Sequence, residues 1–189
     1  MWVVDDWASA AKELSGLSAR QRVAFVAATV QRGAPAFTDL IRRRRADHEF
    51  FAETVGFLWA VAAGAEATAI PARRARLNKF KEVRARQEAD DERFFAEQAV
   101  FLLDYALDTV EGDRDGVTNT IKCALHMMDG FEQDLGEDDN YDRELGVQER
   151  VLQELRRSAI LSADEVSELR CQALLDAEST RAAVRRVLR

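Results

Sequence analysis

The chain has 189 residues, a net charge of −7 and a pI near 5.0. This length allows one domain that buries a core without help from disulfides or metal. Its composition, 47% hydrophobic and 32% charged, is typical of a soluble globular protein and excludes a disordered one. The acidic balance argues against a general binder of nucleic acid or anionic membranes.

Two features predict the compartment. Cys123 and Cys171 are too few for a disulfide framework, and both lie in apolar helical patterns, so we expect two reduced core residues. The N-terminus reaches Asp5 and Asp6 without a basic and then apolar leader, and no segment is apolar enough to span a bilayer. We therefore expect a cytoplasmic protein with no signal peptide.

Apolar residues recur with a period near 3.6 in almost every segment, which predicts helices throughout. The first helix begins at Asp5 or Asp6 and ends near residue 16. Ser18 and Gln21 have the spacing of a capping box for a second helix, which Gly33 ends. A short third helix starts at Pro35, where a fixed φ suits the first helical turn.

The middle of the chain continues this pattern. Asp47 opens a fourth helix, which is apolar over most of its circumference and is predicted to be the most buried. Pro71 interrupts the chain, and one basic helix carrying Leu77, Phe80 and Val83 is expected after it. A sixth helix runs from Asp90 or Asp91 to Glu111, and a turn at 112–116 leads into a seventh.

The remaining helices complete the prediction. The stretch GEDDNYD, Gly136–Asp142, is the clearest loop, and an eighth helix follows it. Ser162 and Glu165 form the capping box of the last helix, with Ala173 and Leu174 among its inner residues. The sequence thus predicts one all-α domain over residues 1–189, a multi-helix bundle of about eight or nine helices. Its expected core includes Phe51, Val55, Leu58, Phe95, Leu102, Ile121, Leu125 and Leu169.

Several segments resemble the YjaG-like family of bacterial proteins of unknown function. They are LSARQRVAFVAATVQRGAPAF (Leu17–Phe37), FFAETVGFLWAVAAG (Phe50–Gly64), LNKFKEV (Leu77–Val83) and EQAVFLLDYALDTVEGDRDGVTNTIKCALHMMDGFEQDLGEDD (Glu97–Asp139). The resemblance lies in helix order, apolar spacing and a few aromatic positions. It implies an all-helical fold, and it implies no activity and no functional residues.

The patterns for catalysis and metal binding are weak. Cys123 and His126 make one close-spaced pair, and the other candidate ligands, His48 and Cys171, are far away in sequence, so no zinc site is predicted. No Glu-x-x-His motif, nucleophile elbow or glycine-rich phosphate loop occurs. A calcium loop starting at Asp138 would have arginine where the sharp turn needs glycine. We predict no catalytic residue, cofactor or metal.

Charge is unevenly distributed along the chain. Residues 101–150 hold 4 basic and 14 acidic residues, whereas the flanking parts are close to neutral. Dense carboxylates can be a solubility device, or they can dock a basic partner and speed its association. The candidate partner-binding face comprises Asp104, Asp108, Glu111, Asp113, Asp115, Glu137, Asp138, Asp139 and Asp142. The run Arg42–Arg45, the one dense basic cluster, could hold a phosphate, but as a helix C-terminal run with acidic neighbours it predicts no nucleic-acid partner.

Three functions remain open at this point. The first is a non-catalytic module that binds a basic protein, with an inhibitor or immunity protein for a basic toxin as its most specific form. The second is an enzyme or small-molecule sensor with a pocket between helices. The third is a structural homo-oligomer built through the apolar fourth helix.

Overall fold

The computed structural model describes residues 13–14, 16–41, 44–84, 91–136 and 139–189. Within these ranges the chain forms helices and no strand. They are α1 (Ala19–Gly33), α2 (Pro35–Thr38), α3 (Arg45–Ala62), α4 (Ile70–Leu77), α5 (Lys81–Arg84), α6 (Asp91–Glu111), α7 (Arg114–Leu135), α8 (Asn140–Arg157) and α9 (Ala163–Val187). The predicted all-α multi-helix bundle is confirmed. The helix predicted from Asp5 or Asp6 lies outside the described residues.

Helix α1 is the centre of the bundle. It packs against α3, α6, α7, α8 and α9, and 11 of its 15 residues are buried. Ser18 and Gln21 form the predicted capping box. At the other end, a Cβ placed on Gly33 would come within 2.6 Å of the Leu102 side chain, so glycine allows α1 and α6 to approach closely. The prediction that the helix after Asp47 is the most buried is therefore wrong, because α3 lies at the side of α1.

Helix α3 buries its apolar side within the same chain. Phe51, Val55, Leu58 and Trp59 all belong to the core cluster, to which each of the longer helices contributes. The surface that a homo-oligomer built through this helix would use is thus already covered by its own chain. The other predicted core residues, Phe95, Leu102, Ile121, Leu125 and Leu169, are buried as well.

Helices α6 and α7 form a long antiparallel pair. Asp113 caps α7 by accepting a hydrogen bond from the backbone amide of Asp115. Near the other end of the pair, the rings of Phe95 and Phe131 stack with centroids 3.9 Å apart. The hairpin positions the carboxylates of α6 and those beyond α7, and so it sets the geometry of the acidic part of the chain.

Pro71 lies in the first turn of α4, and the single basic helix expected after it is two helices. The chain turns at residues 78–80, and this turn places Phe80 against Phe37 and Phe50, with ring centroids 5.4 and 5.8 Å apart. Burial of this aromatic side chain overrides the continuous helical pattern of the segment.

Three further predictions about local structure are wrong. The loop predicted over Gly136–Asp142 ends early, because α8 already begins at Asn140 and includes Asp142 in its first turn. Cys171 is exposed rather than in the core, and Leu174, 47% exposed, also faces solvent. Both lie on the outer side of α9, which is a two-sided helix whose inner face uses Leu169, Ala173 and Ala177.

The basic run is also placed differently. Arg44 and Arg45 lie at the N-terminus of α3, not at the C-terminus of a helix, and they pair with carboxylates of Glu82 and Glu49. Arg42 and Arg43 lie outside the described residues. Across the part of the chain that the structure describes, no helix is long and apolar enough to cross a membrane.

Candidate functional site

The predicted acidic face is divided between two places. Asp104, Asp108 and Glu111 lie on α6, with Asp113 and Asp115 at the adjoining turn, whereas Asp139 and Asp142 lie at the start of α8. These two groups flank the 22-residue helix α7, which spans ~33 Å at 1.5 Å per residue. A full-length helix therefore separates the two halves of the predicted face. Glu137 and Asp138 lie outside the described residues.

The three carboxylates of α6 do lie on one side of the helix, as their spacing predicts, but they share a partner. The Arg74 guanidinium on α4 donates to Asp104 over 3.1 Å, to Asp108 over 2.6 Å and to Glu111 over 3.0 Å. A single cation thus neutralises part of this cluster and engages one oxygen of each carboxylate. The sequence carries no signal for this contact, because it depends on how α4 packs against α6.

The electrostatics of this cluster reflect crowding. Burial raises the pKa of Asp104, and the charges of Asp108 and Glu111 raise it further, while Arg74 acts in the opposite direction. Burial also opposes the charge of Arg74, but the hydrogen bond with Asp108 and the nearby carboxylates outweigh it, so the pKa of Arg74 is raised. With three carboxylates around one guanidinium, the cluster is an internal ion-pair network with a residual negative charge.

The second group forms what we call the acidic corner: Asp129, Glu132, Asp134, Asp139 and Asp142, where α7 ends and α8 begins. Asp134, Asp139 and Asp142 are exposed. No lysine or arginine occurs between Lys122 and Arg143, a stretch that contains seven carboxylates. This corner is therefore a surface where negative charge accumulates without a cation from the same segment.

The acidic corner has a defined geometry. Glu132 accepts hydrogen bonds from the backbone amides of Asp139, at 3.1 Å, and Tyr141, at 2.5 Å, and so holds the start of α8 against the end of α7. Burial raises the pKa of the Tyr141 phenol, and the charges of Asp129, Asp142 and Glu132 add to this effect. All three carboxylates are thus close enough to affect the same phenol, so their negative charges lie close together.

The structure also contains a concave feature that the sequence does not reveal. A cleft of about 370 Å³ lies between the end of α8 and the start of α9. Its lining residues are Glu154, Leu155, Arg157, Ser158, Leu161, Glu165, Glu168, Leu169 and Gln172. Three of them are buried leucines and three are glutamates, a combination that only the packing of the two helices brings together.

The candidate metal ligands do not converge. Cys123 is buried and its Sγ lies 3.3 Å from the carbonyl oxygen of Gln98, whereas His126 is exposed and packs edge-to-face on Phe94. Among the residues that the structure describes, no group of three histidine, cysteine, aspartate or glutamate side chains is arranged to hold a metal ion.

A solved structure shares this fold. A DUF416 family protein from Shewanella baltica OS155 matches with a TM-score of 0.68 and 16% sequence identity, covering 87% of this chain and 92% of that chain. Neither a scan against protein-family models nor a search of curated proteins gives a match. At this identity the likeness is informative about architecture and not about activity. The chain thus has the fold of that DUF416 family protein.

Proposed function

We propose that this protein is a non-catalytic helical module that binds a basic protein through the acidic corner, with inhibition of a basic toxin as the most specific form of this role. The observation that carries the proposal is the accumulation of exposed carboxylates around Asp139 and Asp142 in a stretch without lysine or arginine. Such a surface attracts a cationic partner and orients it before contact.

The geometry favours the acidic corner over the α6 cluster as the docking point. Arg74 already satisfies Asp104, Asp108 and Glu111, so a basic partner would have to compete with an internal ion-pair network. Asp113 has a structural role as the cap of α7. At the corner, by contrast, Asp139 and Asp142 are exposed at the start of α8, where Glu132 accepts hydrogen bonds from the backbone amides of Asp139 and Tyr141. A preorganised charged surface loses less conformational entropy on binding than a disordered one.

We further propose that the chain is a YjaG-like protein and acts in the cytoplasm. The family proposal is supported by the segments that resemble that family and by the all-helical fold that the resemblance implies. The proposed compartment is supported by Cys123 and Cys171, both of which are free thiols. Free cysteines are typical of reducing compartments, where disulfides are rare.

The test uses a basic protein encoded next to this chain and the kinetics of its association. The variant Asp139→Asn with Asp142→Asn removes two charges from the acidic corner, and Glu53→Gln with Glu66→Gln removes two exposed charges from α3 and the segment after it. We expect the corner variant to lower the association rate several-fold at low salt, because steering depends on local charge. The difference in association rate between the corner variant and the wild type should shrink as salt rises to about 0.1 M, where the screening length is ~10 Å, and should shrink further at higher salt.

Two results would contradict the proposal. One is an association rate that is the same for the corner variant and the wild type while both remain folded by circular dichroism. The other is a partner whose contact surface is acidic. An equal loss in the corner variant and in the Glu53 and Glu66 control would show that net charge, and not the acidic corner, determines the rate.

A further inference from the structure

The cleft between α8 and α9 combines buried leucines with more exposed carboxylates. Leu155, Leu161 and Leu169 are at most 7% exposed and form its buried lining. Glu154 and Glu168 also line the cleft and are more exposed. A lining of this kind suits a ligand that is apolar along its length and positively charged at its end.

The negative charge of the cleft is fixed by the helix cap. Glu165 accepts hydrogen bonds from the Ser158 hydroxyl and from the backbone amide of Ser162, and these bonds lower its pKa to about 2. Glu165 therefore stays ionised under all ordinary conditions. Together with Glu154 and Glu168 it gives the cleft three carboxylates against the guanidinium of Arg157 in the lining, with Arg150 reaching Glu154 from outside the lining at 4.0 Å.

We propose that this cleft binds an arginine side chain of a partner polypeptide, with the alkyl part against the three leucines and the guanidinium at Glu154 and Glu168. The planar guanidinium matches carboxylates better than an ammonium does, because it can donate two parallel hydrogen bonds. The inference rests on the proposed function in one respect: it requires a basic protein as the partner.

Two observations favour a polypeptide over a free small molecule. The cleft is partly open to solvent and Arg157 and Glu168 of its lining are exposed, so a side chain can enter while its backbone stays outside. In addition, Ile160 in the same α8–α9 connection is 82% exposed. An exposed isoleucine beside the cleft offers apolar contact area to the backbone and neighbouring residues of a docked chain.

The probe is the blocked tripeptide Ac-Ala-Arg-Ala-NH2, titrated into the full chain while the methyl signals of Leu155, Leu161 and Leu169 are followed by NMR. The control peptide replaces arginine by citrulline, which has the same shape and no charge. We expect saturable shifts with the arginine peptide and binding about tenfold weaker with citrulline, since charge-assisted hydrogen bonds are roughly twice as strong as neutral ones. Free agmatine, a small guanidinium compound, should bind more weakly than the peptide.

Variants test which charged side chains of the cleft affect binding of the arginine peptide. Glu168→Gln should weaken peptide binding about fivefold, as expected for a partly exposed charge pair, whereas Glu53→Gln on α3 should leave it unchanged. Arg157→Gln should strengthen binding, because it removes the one cation in the lining. All three positions are exposed, so these variants should fold like the wild type.

Three results would overturn the inference. They are the absence of saturable shifts at millimolar peptide, equal binding of the citrulline peptide, and tighter binding of agmatine than of the peptide, which would make the cleft a small-molecule site. A failure of the proposed function can be distinguished from these results, because the proposed function is tested with variants of Asp139 and Asp142 at the opposite end of α8. An unchanged association rate in the Asp139 and Asp142 variant would contradict the proposed function, but it would not alter the binding of the arginine peptide or the effect of Glu168→Gln on that binding.

Discussion

At the level of single residues, the most unusual contact is a buried ion pair between α1 and α8. Arg32 is 2% exposed and Glu144 is 6% exposed. The guanidinium donates twice to the carboxylate, over 2.6 and 3.0 Å, and the Gln148 amide donates to the same carboxylate over 2.9 Å. Burying two charges is costly, and good geometry offsets this cost only in part, so the pair fixes how α8 docks more than it adds stability.

A pair of variants tests this view of Arg32 and Glu144. Glu144→Gln leaves a buried guanidinium without its carboxylate and should lower the free energy of unfolding by about 3–5 kcal/mol. Arg32→Met combined with Glu144→Leu removes both charges and keeps the volume similar, so it should cost at least ~2 kcal/mol less than the single change. Urea unfolding measures both values.

An exposed ion pair provides the control for this experiment. Arg45 and Glu49 form an i,i+4 pair on α3 whose side chains are 92% and 57% exposed. Arg45→Gln should therefore change stability by less than about 1 kcal/mol. If the double variant at Arg32 and Glu144 proves as unstable as Glu144→Gln, the ion pair itself contributes the stability and our interpretation fails.

At the level of helices, the distance between α6 and α7 depends on glycine. A Cβ placed on Gly116 would lie 2.6 Å from the Thr109 hydroxyl oxygen and 2.7 Å from the Thr109 backbone nitrogen. Backbone atoms cannot move aside as a flexible side chain can. A Cβ placed on Gly146, in the middle of α8, would have no neighbour within 4 Å. The two glycines thus have the same chemistry in opposite environments.

Replacing each of these glycines by alanine should have opposite effects. Gly116→Ala pushes the two helices apart and should destabilise the protein by about 1–3 kcal/mol, the usual cost of overpacking. Gly146→Ala adds no clash and should stabilise it by roughly 0.5–1 kcal/mol, because alanine is the better helix former. Thermal and urea unfolding report both changes. Equal effects at the two positions would show that helix propensity, and not close packing, decides the outcome.

The same helices show what the sequence can predict. The capping boxes at Ser18 and Ser162 are local motifs, and apolar spacing identifies core residues such as Leu58, Leu102 and Ile121. Local and periodic signals of this kind need no knowledge of the neighbouring helices. They suffice for the fold class and for most helix positions.

Contacts between distant segments account for what the sequence does not predict. Glu144 and Gln148 resemble an exposed polar face of α8, yet they are buried because Arg32 on α1 meets them. Likewise, Asp104 and its neighbours resemble a free acidic face until α4 brings Arg74 to them. The α8–α9 cleft exists only through packing. Buried polar residues and shared cations are the points at which hydrophobic periodicity fails, because each depends on a partner elsewhere in the chain.

Over the whole molecule, cations and carboxylates are paired unevenly. Arg74 and Arg76 on α4 pair with carboxylates of α6 and with Asp47, so neighbouring carboxylates balance much of the charge of the basic segment from Arg73 to Lys81. The stretch between Lys122 and Arg143 has seven carboxylates and no cation, and such an uneven distribution orients a charged partner during approach and acts through the association rate. The proposed docking at the acidic corner is therefore a property of the entire charge distribution as well as of local residues.

The two thiols provide a test of whether the helices unfold together or open locally. Cys123 is 7% exposed between α6 and α7, and burial raises its pKa to about 12. Cys171 is exposed on α9. Because the thiolate is the reactive form, a thiol reagent should modify Cys171 rapidly in the native protein and Cys123 only when the structure opens.

The thiol measurement is made at pH 8 on the wild type, on Cys171→Ser and on a destabilised variant. In Cys171→Ser, the remaining thiol should be protected in the native state and should react at once in denaturant. Leu58→Ala truncates a fully buried side chain of α3, outside the α6–α7 pair, at a cost of roughly 2–5 kcal/mol, so the reaction of Cys123 should accelerate by ~30-fold or more if opening involves the whole bundle. Protection of Cys123 that does not change in Leu58→Ala would mean that the α6–α7 pair opens locally and independently of the rest. A native Cys123 that reacts as fast as Cys171 would contradict its burial altogether.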